Sequence, residues 1–369
     1  MTTKLNYQFI AGIYRCLAPA ILAAMFLFPA PAASDPAANW PAVGKVASNR
    51  PNSGIDPSAL AEVQAEIGTS FPLTRSLLII RNGDLIFERY FGKATAQEAY
   101  RIASVTKSIT ATLFGIAMAE KKLAGPHLTV ADVFPEETAG LADPRTKGIT
   151  LEQLLTMTAG LQWFDRGEDF WRHAHSRKRF RNLLTRPQLH APGTVYNYST
   201  GISHLIGFAV TRATGQSLLD YANARLFGPL GERVESWSRD PMGNYTGGRG
   251  IALTPRQMAK LGQLYLQGGK WGDKQVVPAA WLKRATAMHV RFNEKFGYGY
   301  QFWVRELAGC ASYYGLGRGG QYIVVVPEKN LVIVRTANFL IQSRDALRFL
   351  PHLERLVAGA SGSCSAGRF

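Results

Sequence analysis

Apolar residues fall into two patterns along this chain. From Leu77 to Phe91 two short runs, Leu77-Leu78-Ile79-Ile80 and Leu85-Ile86-Phe87, flank Arg81-Asn82-Gly83-Asp84. Runs of this length around a turn signal read as strands, and Asn-Gly supplies the positive φ angles of a tight hairpin. A second group of strand-like runs lies far downstream. It comprises the aromatic-rich Tyr298 to Val304, the β-branched Tyr322 to Val326, and Leu331 to Thr336 after Pro327-Glu328-Lys329-Asn330. Between the two groups, residues 102–290 show mostly helical spacing punctuated by Gly and Pro. One helix is expected to open at Ile102-Ala103-Ser104 and to run to Lys121-Lys122, before Gly125-Pro126. A last amphipathic helix is expected over residues 344–358, with Leu347, Leu350, Leu353 and Leu356 on one face. Strands at both ends around a helical middle predict an α+β fold. Its antiparallel sheet is built from both chain ends and flanked by helices, and the helical lobe, roughly 102–290, is inserted in the sheet lobe. Sites commonly lie in the cleft between two such lobes.

The first residues alter the picture of where this fold works. Lys4 and Arg15 are the only charges before Asp35, an apolar run spans Cys16 to Phe28, and small residues close it at Ala30-Pro31-Ala32-Ala33-Ser34. That order reads as a secretory signal peptide, residues 1–33, cut near Ala32 or Ala33, with an N-terminal membrane anchor as the alternative. Periplasmic or secreted localisation is therefore expected, with no stable transmembrane segment after cleavage. Residues 34–56 read as an extended leader, 57–360 as one catalytic-sized domain, and 361–369 as a C-terminal tail. Beyond the signal, Cys310 and Cys364 remain. In an oxidising compartment they could form one bridge, or stay as two free thiols. No Cys or His spacing marks a metal site, and no cofactor motif is present.

The chain has 369 residues, 46% hydrophobic and 18% charged, which excludes a disordered or disulfide-stapled miniprotein. Its 42 Lys and Arg against 26 Asp and Glu give +16. Such a balance favours anionic partners, and export makes nucleic acid an unsuitable one. Six of the positive charges fall between Arg172 and Arg186, with two His and no acid. Either this is a solvated basic face, or it borders the cleft, where Arg177, Lys178, Arg179 and Arg181 would attract anionic substrates.

Three constellations carry candidate chemistry. Ser104-Val105-Thr106-Lys107 is the one Ser-x-x-Lys in the chain, and it opens an otherwise apolar helix (Ile109, Leu113, Ile116). Residues three apart share a helix face, so an ammonium or amine can lie beside the hydroxyl, with the helix N-terminus favouring negative charge there. The second is Tyr196-Asn197-Tyr198-Ser199-Thr200-Gly201, after Pro192-Gly193. A phenol near an ammonium is shifted toward tyrosinate, a usable base, although isolated tyrosines are more often core residues. The third is Gly315-Leu316-Gly317-Arg318-Gly319-Gly320-Gln321 entering a strand. Glycines at a strand edge let a ligand lie against the backbone, and one N–H there could join that of Ser104 in an oxyanion hole. Trp163, Phe164, Trp171, Trp237 and Trp303 are candidate pocket walls or core residues.

In this order the three elements resemble the penicillin-recognising serine hydrolases: class C-like β-lactamases, DD-peptidases and their esterase relatives. Supporting phrases are Leu154-Leu155-Thr156-Met157-Thr158-Ala159-Gly160-Leu161, the stretch from Gly247 to Met258, Gly297-Tyr298-Gly299-Tyr300 and Val326-Pro327-Glu328-Lys329-Asn330. Together they cover roughly residues 57–357. The resemblance implies a β-lactamase/transpeptidase-like fold. It implies Ser104 as acylated nucleophile, Lys107 as its partner, and Tyr198, nine residues before Gly207, as general base. It implies an oxyanion hole from the Ser104 and Arg318 amides, with Arg318, Gly319, Gly320 and Thr200 on the substrate. Two departures stand out: Thr200 replaces the Asn of Tyr-x-Asn, and Arg318-Gly319-Gly320 replaces Lys-Thr-Gly. The pattern is thereby closest to 6-aminohexanoate-dimer hydrolases and β-lactamase-like carboxylesterases. The expectation is an exported serine hydrolase of small ester or amide substrates, anionic ones included. A DD-peptidase or weak β-lactamase is the alternative within the class, and a catalytically silent ligand-binding protein the alternative outside it.

Overall fold

The structure, a computed structural model, describes residue 40 and residues 54–165, 167–338 and 345–365. The expected signal segment and almost all of the leader lie outside the described residues, as does the last part of the tail. The first apolar runs form strands β1 (Thr74–Arg81) and β2 (Asp84–Tyr90). Arg81 pairs with Asp84, so Asn82 (φ 51°) and Gly83 (φ 87°) alone make the turn, as Asn-Gly requires. The downstream runs form β3 (Val290–Asn293), β4 (Phe296–Tyr298), β5 (Trp303–Leu307), β6 (Cys310–Gly317), β7 (Gln321–Val326) and β8 (Leu331–Ala337). All eight join one antiparallel sheet in the order β2-β1-β8-β7-β6-β5-β4-β3. The two chain ends meet where β1 pairs with β8, Leu78 opposite Val334. The fold class is α+β, as the alternation of patterns implied.

Because side chains alternate across a strand, the run Leu77–Ile80 feeds two cores. Leu77 and Ile79 pack with Val324, Ile333, Leu353 and Leu356 under helices α1 (Pro57–Thr69) and α7 (Leu350–Ala358). Leu78 and Ile80 face the larger core, shared with α2 (Val105–Ala119) and α6 (Pro255–Leu266). The helical middle also holds α3 (Gly167–His175), α4 (Arg179–Leu184) and α5 (Thr200–Thr214). It belongs to the same compact unit as the sheet.

Three expectations about elements are corrected. The aromatic run Tyr298 to Val304 is not one strand: residues 299–302 turn between β4 and β5, with Gln301 at φ 62°. The helix expected from Ile102 begins at Val105 and ends at Ala119, because Lys121 adopts φ 57°. The last helix is two pieces, Asp345–Arg348 and α7, broken at Phe349. Pro351, the second residue of α7, has no N–H to give the Leu347 carbonyl and so cannot continue a helix from it; Leu347 is 66% exposed while Phe349 is buried. Cys310, at the start of β6, and Cys364 are joined by a disulfide that ties the tail to the sheet.

Candidate active site

Ser104 caps the N-terminus of α2, directly after Ala103 at φ 49°. A left-handed alanine costs about 1 kcal/mol or more, and such strain persists only where surrounding structure fixes it. Here β6 does so: a Cβ on Gly317 would collide with the Ile102 carbonyl, and one on Gly315 would press on Val105 and Ser108. Residues Val105 to Ala117 of α2 are buried on every face. Two of their hydroxyls are satisfied by chain crossing the helix, Ser108 donating to the Gln301 carbonyl (2.8 Å) and Thr110 to that of Gly247 (2.7 Å), while Thr106 and Thr112 donate to the Ala103 and Ser108 carbonyls. Lys107, one turn after Ser104, is thus carried into the interior, 1% exposed.

Around Lys107 the first two sequence elements meet Gly248, from the stretch that opens at Gly247, and, through Thr200, Asp165. Its Nζ lies 3.1 Å from Ser104 Oγ, 3.0 Å from Thr200 Oγ1 and 2.8 Å from the Gly248 carbonyl oxygen. The Ser104 side chain also acts on the Tyr198 phenol, favouring its ionised form, and the Lys107 nitrogen sits 4.8 Å from the centre of the Tyr198 ring. Thr200 begins α5, whose cap is Ser199. Its hydroxyl donates to Asp165 Oδ2 (2.7 Å), and its backbone N–H donates to Asp165 Oδ1 (2.8 Å). Trp163 Nε1 donates to that same Oδ1 at 2.8 Å. Gly248 reaches the lysine because Gly247 lies against Gly207 of α5, where a Cβ on either would clash with the other's backbone.

Burial decides the protonation states. It drives the Lys107 ammonium down to about 8, against the upward pull of the Asp165 carboxylate, with Arg249 adding to the depression. Burial also holds the Tyr198 phenol well above its usual value, outweighing the opposing effect of Ser104. The expected drift of Tyr198 toward tyrosinate is therefore opposed by desolvation. Tyr196 is pushed up in the same way, and its hydroxyl has no partner among the described residues. The ring of Tyr196 packs against Phe292 and Tyr298, while Trp303 stacks on Tyr198. Of the other candidate walls, Trp163 and Trp237 are buried and Phe164 is 59% exposed. The Trp171 side chain is outside the described residues.

The third element divides. Arg318 is exposed, and neither its N–H nor that of Ser104 has an acceptor among the described residues. Gly319 and Gly320 are buried, and their carbonyls accept from the Arg335 guanidinium behind the turn, Gly320 at 3.0 Å. They shape the turn rather than face the cleft. Thr200, expected on the substrate, is 9% exposed and bound to Lys107 and Asp165.

The basic stretch also divides. Arg177 and Lys178 are exposed, but Arg179 is buried, 3.4 Å from Asp240 Oδ2, and Arg181 donates to the Ala139 carbonyl at 2.7 Å. Arg179 is thus no rim charge: its aliphatic stem and guanidinium fill the interior beside His204. Burial alone would raise Asp240, but bonds from His204 and Asn244 and the Arg179 charge bring it to about 2. The Gly247 N–H donates to His204 Nδ1 (3.2 Å), so Nε2 carries the proton given to Asp240 (2.9 Å). Behind Thr200 and Gly248 a cavity of about 20 Å³ is lined by His173, Arg179 and Arg249. Among the described residues no group of three His, Cys, Asp or Glu could hold a metal.

The β-lactamase family model matches residues 73–350. The chain belongs to the β-lactamase family. Within it, the chain is 32% identical to esterase EstB of Burkholderia gladioli over 180 residues, 42% of this chain and 45% of that one. It is 22% identical to a 6-aminohexanoate-dimer hydrolase of Paenarthrobacter ureafaciens over 292 residues, 72% and 73% of the two chains. The fold is shared with a penicillin-binding protein homologue from Pyrococcus abyssi at a TM-score of 0.66 and 17% identity, covering 82% of this chain and 77% of that one. These likenesses support a hydrolase of the β-lactamase fold. Asp165 belongs to no spacing pattern in the sequence, and Gly248 enters one only as part of the stretch from Gly247 to Met258, without a site role.

Proposed function

We propose that this member of the family is an exported serine hydrolase that cleaves carboxylic esters or amides through a Ser104 acyl-enzyme. The observation that carries the reading is Lys107: buried, brought down to about 8, and 3.1 Å from Ser104 Oγ. A lysine that spends part of its time neutral at physiological pH can accept the serine proton as the Oγ–C bond forms. The negative oxygen of the tetrahedral intermediate then lies against the Ser104 amide at the start of α2 and the Arg318 amide in the turn after β6. The Tyr198 phenol, kept protonated by burial, donates to the departing alkoxide or amine. It is reprotonated with the proton Lys107 took, so both residues end acylation as they began. Water reverses the sequence and frees the acid.

The commitment of the Thr200 hydroxyl to Lys107 and Asp165 supports esters and simple amides over β-lactams, since that hydroxyl is not free to hold a β-lactam side-chain amide. Likeness to an esterase and to a dimer hydrolase points the same way. The signal-like first 33 residues and the Cys310–Cys364 bridge support export. Ser104→Ala should lower turnover of p-nitrophenyl acyl esters by at least ~10³-fold with the fold unchanged. Turnover within tenfold of the native enzyme would refute the assignment.

A further inference from the structure

Lys107 Nζ has three neighbours, and their chemistry differs. The Gly248 carbonyl oxygen can only accept a hydrogen bond. Thr200 Oγ1 has one hydrogen, and that hydrogen is directed at Asp165 Oδ2, 2.7 Å away. Toward Lys107 the threonine oxygen therefore also acts as an acceptor. A tetrahedral nitrogen that gives two N–H groups to two fixed acceptors has one direction left near its neighbours, and that direction is Ser104 Oγ. In the ammonium this direction holds an N–H. In the neutral amine it holds the lone pair.

We infer that Asp165 is a positioning residue: through the Thr200 hydroxyl it fixes the orientation of Lys107, so that the lone pair of the neutral amine points at the Ser104 hydroxyl. The inference rests on the acyl-enzyme reading above and assigns a task to a carboxylate that never touches the nucleophile. Without the carboxylate, the Thr200 hydroxyl is free to rotate and donate to the lysine lone pair, which removes the base from Ser104. Asp165 is itself held for this task, because its other oxygen accepts from both Trp163 Nε1 and the Thr200 N–H. That geometry keeps Oδ2 aimed at the hydroxyl. Its charge acts in the same place, supporting the lysine cation against burial and the Arg249 guanidinium.

Asp165→Asn is a nearly isosteric test. The amide oxygen can keep the two bonds now made to Oδ1, while the amide nitrogen faces Thr200 and offers a donor where an acceptor stood. The burst rate of p-nitrophenol release should fall by ten- to a hundredfold with KM within about twofold. The acid limb of the kcat/KM profile should move to lower pH, since a carboxylate that favours the ammonium has gone. A disruption that merely admitted water would move the limb the other way, toward the ordinary lysine range. Thr200→Ser should acylate within a few-fold of the native enzyme, and Thr200→Val should fall to the level of Asp165→Asn. If Asp165→Asn does not fold, the Thr200 pair carries the same test. Native burst rates in Asp165→Asn, or a slow variant whose acid limb stays in place or rises, would overturn the inference, as would equal rates for Thr200→Ser and Thr200→Val. An active Ser104→Ala would instead overturn the acyl-enzyme reading itself.

Discussion

Replacing Lys107 with Met should abolish turnover and at the same time make stability less dependent on alkaline pH. The folded lysine is buried and brought from 10.5 to about 8. At neutral pH it is mostly protonated in both folded and unfolded chains, and holding that charge inside lowers stability by about 3 kcal/mol relative to an uncharged group. Between pH 8 and pH 10.5 the folded lysine is neutral while the unfolded one still binds a proton, so stability rises with pH across that window. From about pH 7 to about pH 9.5 the native enzyme should gain about 2 kcal/mol that Lys107→Met does not. The absolute difference between the two proteins is less informative. The methionine leaves the Gly248 carbonyl without its donor, a loss of about 1–3 kcal/mol that offsets the relief of charge. The pH slope is free of that offset, because the orphaned carbonyl does not titrate. Urea unfolding of both proteins at the two pH values measures it directly. A stability difference that stays constant within about 0.5 kcal/mol would show that Lys107 is not a depressed lysine, and would undercut its role as base. The native kcat/KM should rise through the same region, with an apparent pKa near 8.

Two further outcomes follow from features away from the nucleophile. Reducing or removing the Cys310–Cys364 bridge should lower stability, with an upper bound of about 4 kcal/mol from the 54-residue separation; thermal unfolding of the Cys364→Ser variant checks it. The loss should fall short of that bound, because Lys329 also bonds the Ala360 and Gly362 carbonyls and holds the tail without the bridge. Within the basic stretch, Arg179→Ala should destabilise by about 3 kcal/mol or more, since it leaves Asp240 buried with one partner fewer. Arg177→Ala and Lys178→Ala should each stay within about 0.5 kcal/mol in the same urea titration, and equal effects at all three positions would refute the distinction.

What was legible in the sequence follows from the range of the forces involved. The Asn82-Gly83 hairpin and the runs of β7 and β8 are dictated by neighbours within a few residues, and they stand where the pattern puts them. Ser104 and Lys107 are adjacent because one helical turn makes them so. The misreadings arise where distant contacts override local preference. Residues 298–304 alternate well enough for a strand, yet Gln301 turns inward to bond Ser203 and the Leu155 carbonyl, so the strand breaks. Arg179 reads as one more surface cation, yet the carboxylate of Asp240, some sixty positions away in the chain, and the carbonyls of His173 and Ala174 hold it inside. Leu347 fits the apolar face of an ideal helix, but Pro351 ends that helix before the face is completed.

The same distinction places Asp165 outside any local sequence pattern, since only the fold brings it to Thr200. A carboxylate in direct contact with Lys107 would strongly favour the ammonium and suppress the base that the reaction needs. A site with no carboxylate would leave the lysine with only desolvation and the nearby Arg249, and its donors free to choose partners. Interposing the Thr200 hydroxyl separates the two effects of an acid. In the arrangement inferred above, its hydrogen-bonding order is passed on, because one hydroxyl hydrogen can point only one way, while its charge reaches the lysine from farther off and is weakened accordingly. On this view the threonine that replaces the asparagine of the Tyr-x-Asn pattern is no impoverished substrate contact. An asparagine amide has a donor and an acceptor at different atoms and cannot relay a single orientation in this manner. Thr200→Asn should therefore impair acylation even though it restores the family pattern.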